Sequence, residues 1–219
     1  MTILLGMISQ KGGVGKSTLA RLIAREYALA DWHVKIADLD ISQGTSTDWK
    51  QRREQNSLEP EIAVEPFRTV SQALKVKDIY DLMIFDGAPH SMAGTLEIAR
   101  NSALTVLPTG LSLDDLRPSI MLAHELCDQG ISPERILFAL CRVGDRENEI
   151  DEARNYIKRA GYNCADGSLP EKTAYRRASD EGKSLSEVTY QSLKTRAEQL
   201  AQSIIDRLAK QSEKKELVS

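Results

Sequence analysis

Nine consecutive residues carry the densest chemical information in the chain: Gln10-Lys11-Gly12-Gly13-Val14-Gly15-Lys16-Ser17-Thr18. Glycines this close together let the backbone turn with its N–H groups pointing inward, a cradle that suits an anion. The residues that follow read as a helix, and the positive end of its dipole falls at the same place. Lys16 is placed to reach β- and γ-phosphates, the Ser17 hydroxyl to ligate magnesium, and Thr18 to donate toward the α-phosphate. The bland alternative is a glycine turn before a basic helix start. That leaves a lysine at a helix N-terminus, where a cation is unfavourable unless it faces an anion. The run predicts a phosphate-binding loop for ATP or ADP with Mg2+.

Two apolar runs end in carboxylates. Val34-Lys35-Ile36-Ala37-Asp38-Leu39-Asp40 finishes with two, and Leu82-Met83-Ile84-Phe85-Asp86 finishes with one, followed by Gly87-Ala88-Pro89. Strand-end carboxylates of this kind hold magnesium or orient water in phosphoryl transfer. They also cap the next helix, and that reading stays open for Asp38 and Asp40.

The elements that position these residues follow from periodicity. Near-continuous apolar runs at 3–9, 34–39, 63–67, 82–86, 103–108 and 136–142 predict strands covered on both faces. Amphipathic stretches at 17–30, 45–55, 70–77, 92–101, 114–129 and 147–160 predict helices between them. The alternation predicts a doubly wound, mostly parallel α/β sheet with helices on both faces and a ligand site beyond the carboxyl ends of the strands. After Gly161 only helices are expected, at 171–181 and 187–210. The latter carries Leu193, Ala197, Leu200, Ile204 and Leu208 on one stripe. Residues 1–210 read as one domain and 211–219 as a polar, frayed tail.

Composition narrows the function classes. The chain has 219 residues, 41% hydrophobic and 28% charged, with a net charge of -3. That is globular composition, without a global field that attracts DNA. Cys127, Cys141 and Cys164, with His33, His90 and His124, are too scattered for a zinc site or a disulfide framework and read as packing residues. No stretch reaches transmembrane length, and the chain reads as cytoplasmic.

The loop departs from the ordinary phosphate-loop pattern, with Gln10 at the first glycine position and a second lysine, Lys11, after it. Lys-Gly-Gly-Val-Gly-Lys-Ser resembles the deviant Walker A box of the ParA/MinD family of ATPases, and the likeness runs from Met1 to about Leu208. The resemblance implies a homodimer that sandwiches two ATP molecules, with Lys11 crossing to the partner's phosphates. It implies that Asp40 orients the attacking water, that Asp38 sits near the magnesium, and that Asp86 holds the magnesium as in Walker B. Gly87 would bring the backbone close to the γ-phosphate, and Arg142 would lie where the base or ribose is met, a surface salt bridge being equally open. Ile41-Ser42-Gln43-Gly44 departs from the family's Pro-Gln-Gly continuation and carries one inserted residue.

The compact chain, Thr47-Asp48-Trp49 and Asp86-Gly87-Ala88 look like the small plasmid partition ATPases. This likeness implies nonspecific DNA binding in the ATP state, near the nucleoid, and release when a small centromere-binding adaptor stimulates hydrolysis. DNA candidates are Lys172, Arg176, Arg177 and Lys183, each of which also reads as part of a solvated helix face. Rival readings are an ATPase that positions a protein cargo, a MinD-like membrane-cycling regulator, and a nucleotide-binding scaffold without turnover. No membrane contact is expected, because the apolar stripe near the C-terminus lacks aromatic anchors and reads as core packing.

Overall fold

In the computed structural model, residues 2–89 and 91–216 are described; the readings made for Met1, His90 and residues 217–219 lie outside them. Eight strands, β1 Ile3–Met7, β2 Val34–Asp38, β3 Ala63–Pro66, β4 Leu82–Asp86, β5 Leu104–Thr109, β6 Ile136–Val143, β7 Asn163–Cys164 and β8 Leu169–Pro170, alternate with eight α-helices through the first six of them. The helices are α1 Lys16–Leu29, α2 Thr45–Gln55, α3 Val70–Leu74, α4 Met92–Asn101, α5 Leu113–Asp128, α6 Glu147–Arg159, α7 Thr173–Asp180 and α8 Gln191–Glu216. Strand order is β3-β2-β4-β1-β5-β6-β7, with β8 added beside β6. Every strand pair is parallel, which agrees with the expected architecture.

Two apolar layers sandwich the sheet, because side chains alternate between its faces along each strand. Leu5, Met7, Ile36, Leu82, Ile84, Leu104 and Val106 pack with α1 and α8 on one side. Leu4, Ile8, Met83, Phe85, Leu107, Phe138 and Leu140 pack with α3 to α6 on the other. The stripe on α8 belongs to the first layer: Ala197, Leu200, Ile204 and Leu208 are fully buried. Ile204→Ala is expected to lower unfolding free energy by about 2–5 kcal/mol in a urea titration, the range for emptying a packed aliphatic site.

Several boundaries differ from the sequence expectation. The two-residue strands β7 and β8 lie beyond Gly161, where no strand was expected, and are too short to show a period. The stretch expected as one helix at 70–77 divides into α3 and a 3-10 turn at Lys77–Ile79. The stretch expected as a frayed tail is helical as far as Glu216, with Gln211 buried at 6% exposure.

Candidate functional site

Parallel register places the chemistry. Met7, Asp86 and Asp38 are direct neighbours across β1, β4 and β2. Adjacent strands lie about 5 Å apart, so the loop after β1 and both carboxylates converge at one edge of the sheet. The chain winds toward β3 on one side of β1 and toward β6 on the other, and the site sits at that reversal.

The loop is shaped by its glycines. Gly13 and Gly15 take φ of 73° and 115°, where only glycine is unstrained. At Gly15 an added Cβ would also stand 3.3 Å from both Cβ and Sγ of Cys141. Gly15 is the N-cap of α1 and no side chain caps that end, so the first N–H groups of the helix remain open toward the loop. Lys16 is buried at 7% exposure, and its ammonium donates to the Lys11 carbonyl at 3.3 Å. Burial lowers its pKa, while the carboxylates of Asp86 and Asp40 oppose that shift. A desolvated ammonium beside open backbone donors is an anion site.

Asp38 and Asp86 are both buried but do different work. Asp38 Oδ2 accepts from the Ser46 and Thr47 N–H groups at 3.2 and 3.1 Å and from the Thr47 hydroxyl at 3.1 Å. Its Oδ1 accepts from the Asp40 N–H at 3.2 Å. Oδ2 therefore anchors the start of α2 and Oδ1 the loop before it, which is the capping geometry that the sequence left open for Asp38. Asp86 Oδ2 accepts from the Ser46 hydroxyl at 2.7 Å, whereas its Oδ1 is buried without a hydrogen-bond partner. Burial raises the pKa of Asp86, and the Ser46 hydroxyl bond pulls it back.

An unpartnered buried acceptor costs about 1–3 kcal/mol, more when charged, so Asp86 Oδ1 calls for a cation or a bound water. The Ser17 hydroxyl bonds the Thr45 hydroxyl at 3.1 Å and, like Ser46, opposes the rise of the Asp86 pKa. Ser17 and Asp86 together supply the hard oxygens that magnesium prefers. Among the described residues no group of three or more His, Cys, Asp or Glu could hold a metal ion. The donor set fits a magnesium completed by phosphate oxygens and water, which is how this ion is usually bound.

A cleft of about 720 Å³ opens above these groups, lined by Gly12, Gly13, Gly15, Lys16, Ser17 and Thr18 on one side and by Asp40 and Thr45 on the other. Asp40 Oδ1 accepts from the Ser42 hydroxyl at 2.7 Å and the Gln43 N–H at 3.3 Å, which orders the departing loop despite its missing proline. Gly87 follows directly on β4. Its N–H donates to the Met7 carbonyl at 3.0 Å, and a Cβ there would approach the same oxygen at 2.8 Å. Close packing of β4 on β1 thus accounts for the glycine, and Ala88 and Pro89 line the cleft instead.

A second cleft, about 450 Å³, shares Gly13, Gly15 and Thr18 with the first and extends past Arg142, Leu169, Pro170 and Tyr175. Arg142 has φ of 56° and donates to the Gly13 carbonyl at 3.3 Å, so it braces the loop from outside. Lys11 turns away from its own phosphate cleft. Its ammonium pairs with Asp115 Oδ1 at 2.8 Å, and that bond pulls the Asp115 pKa down. An added Cβ at Gly110 would collide with the Asp115 carboxylate, so that glycine is what lets Asp115 fold back beneath the lysine.

The basic candidates differ in their ion pairing. Lys172 pairs with Asp145 at 2.8 Å, Lys183 with Glu181 at 2.7 Å and Arg176 with Glu171 at 3.5 Å. Lys172 and Arg176 line the second cleft. Only exposed Arg177 of the four has no ion pair among the described residues. Conversely, Arg21 and Ser46 line or contact the site and were not singled out from sequence. Arg21 follows Ser17 by four positions, hence shares its helix face, and that spacing was the available signal.

Comparison with known proteins agrees with this fold. A family model described as the CobQ/CobB/MinD/ParA nucleotide binding domain matches residues 5–185. No curated protein matches the chain. Among solved structures, the cell division ATPase MinD of Pyrococcus furiosus superposes with a TM-score of 0.72 at 16% identity, covering 94% of this chain and 99% of that one. MinD of Pyrococcus horikoshii OT3 complexed with Mg-ADP gives 0.71 at 16% identity over 93% and 96%. A putative plasmid partition protein of Borrelia burgdorferi B31 bound to AMPPNP gives 0.71 at 14% identity over 94% and 100%.

Proposed function

The chain belongs to the CobQ/CobB/MinD/ParA family of nucleotide-binding domains, and on that premise we propose that it is a Mg2+-dependent ATPase of the DNA-partition type. It dimerises on binding ATP, holds nonspecific DNA in that state, and is released when a small adaptor stimulates hydrolysis. The observation that carries the nucleotide chemistry is the unpartnered Asp86 Oδ1, buried beside buried Lys16 under a loop of open amides.

Each residue has a role in this reading. The loop amides and Lys16 bind the phosphates, and Ser17 and Asp86 hold magnesium. Bound magnesium neutralises charge on the phosphate oxygens. Asp40, already an acceptor of local donors at the cleft rim, orients water. Lys11 leaves Asp115 and reaches the partner's phosphates, stabilising developing charge in trans. The cleft shared through Thr18 takes the nucleoside, with Arg142 bracing its phosphate side.

The membrane-cycling alternative receives no support from α8, whose apolar stripe packs within the protein core. Among the described residues no helix is long and apolar enough to cross a membrane. Pelleting with liposomes in the presence of ATP is expected to leave the protein in the supernatant.

ATP turnover with and without nonspecific DNA, alongside light scattering, tests the proposal. A slow basal rate, doubling of mass with ATP, and a DNA shift that weakens steeply with salt are expected. An unchanged mass with ATP would overturn it. Because Arg177 is the cation of the candidate set without an ion pair among the described residues, Arg177→Gln is expected to weaken DNA binding equally across sequences and to lower the salt slope by about one. An unaltered slope in the same titration would move the DNA face elsewhere on the molecule.

A further inference from the structure

Arg21 is the residue in the phosphate cleft that the nucleotide chemistry above leaves without a task. It is buried at 7% exposure, and its guanidinium lies 5.6 Å from the Trp49 ring. Its Nε–H donates to the Ser46 hydroxyl at 3.3 Å, and its Nη1–H donates to the Ser179 hydroxyl at 3.2 Å. A guanidinium carries donors only, whereas a serine hydroxyl carries one proton. Ser46 therefore accepts from Arg21 and must send its own proton onward, to Asp86 Oδ2 at 2.7 Å. Its backbone N–H is meanwhile held by Asp38 Oδ2 at 3.2 Å. Ser46 is pinned at both ends, and its direction of donation is set by the arginine.

The consequence falls on Asp86. One oxygen is occupied by Ser46, and the other, Oδ1, is left buried and free. We propose that Arg21 is a positioning residue for the metal-binding carboxylate, acting through Ser46 to fix which oxygen of Asp86 is presented to the magnesium. This rests on the reading of Asp86 as the magnesium carboxylate. The bond to Ser179 extends the same constraint to α7, where Ser179 lines the second cleft, so one guanidinium ties the metal carboxylate to the nucleoside wall.

Simple counter-charge is the competing role, since Arg21 is near Asp86, Asp38 and Asp48. Arg21→Lys separates the two, because lysine keeps the charge and loses the rigid planar fork. Metal affinity is read directly on ADP-loaded protein, with Mn2+ in place of Mg2+ and free Mn2+ measured by electron paramagnetic resonance. Arg21→Lys is expected to weaken metal binding about tenfold, the lower end of the range for partners of metal ligands. ADP affinity in EDTA should fall by less than metal affinity, because Arg21 reaches the second cleft only through Ser179. Ser46→Ala should show a similar loss, and adding Arg21→Lys to it should cost little more.

Unchanged metal affinity in Arg21→Lys, full additivity with Ser46→Ala, or an equal loss of ADP affinity in EDTA would each overturn the proposal. Asp86→Asn distinguishes the two levels of inference. Metal affinity intact in that variant sinks the reading of Asp86 itself, whereas an effect there with none in Arg21→Lys sinks only the role of Arg21.

Discussion

Lys16→Ala is expected to remove ATP and ADP binding from the calorimetric range while leaving the protein folded. The ammonium is buried beside the loop amides, and its one hydrogen bond among the described residues is to a neutral carbonyl. Charge-assisted hydrogen bonds contribute about 1.5–3 kcal/mol each. Two such bonds to phosphate correspond to at least about a hundredfold in affinity. Folding should depend on Lys16 far less, because burial already lowers its pKa and disfavours its charged form. Thermal unfolding without nucleotide is therefore expected to shift little. ATP affinity equal to that of the unaltered protein would contradict the site, and collapse of the fold would assign Lys16 a structural task instead.

Lys11→Ala should produce the opposite division, with nucleotide binding retained and ATP-driven dimerisation lost. In this structure the Lys11 ammonium is engaged with Asp115, both side chains being partly exposed, at 39% and 30%. Exposed pairs of this kind are worth about 0.2–1 kcal/mol, so Asp115 can delay but not prevent transfer of Lys11 to a partner's phosphates. Two such pairs open per dimer, so Asp115→Asn is expected to lower the protein concentration needed for the ATP dimer by up to about thirtyfold. Light scattering across a dilution series with ATP reads both variants. A normal dimer from Lys11→Ala would refute the action in trans. Weaker dimerisation of Asp115→Asn would show that the carboxylate supports the interface rather than restraining the lysine.

The phosphate loop was legible because its determinants are local. Glycines that tolerate positive φ, a helix start and a lysine all lie within nine residues, and the structure brings Lys16, Ser17 and Thr18 to one cleft with Asp40. The parallel sheet was legible for a similar reason, since strands buried on both faces read as unbroken apolar runs. The α8 stripe announced its own burial through spacing alone.

The division of labour among the carboxylates was not local. Asp38 and Asp86 both end apolar strands, and only the pairing of β2 with β4 brings Ser46 between them to cap one and to donate to the other. The same holds for Lys172, whose charge Asp145 engages from 27 positions away, whereas Arg176 and Lys183 pair with carboxylates within five residues. Lys11 likewise meets a carboxylate 104 positions away. Residue type and spacing thus determined the nucleotide loop and the strand-helix alternation, because backbone preference and burial act within a few residues of their cause. Which charges remained free for a ligand was decided by tertiary contact, because each hydrogen-bonding atom is claimed by whatever donor or acceptor the fold brings nearest.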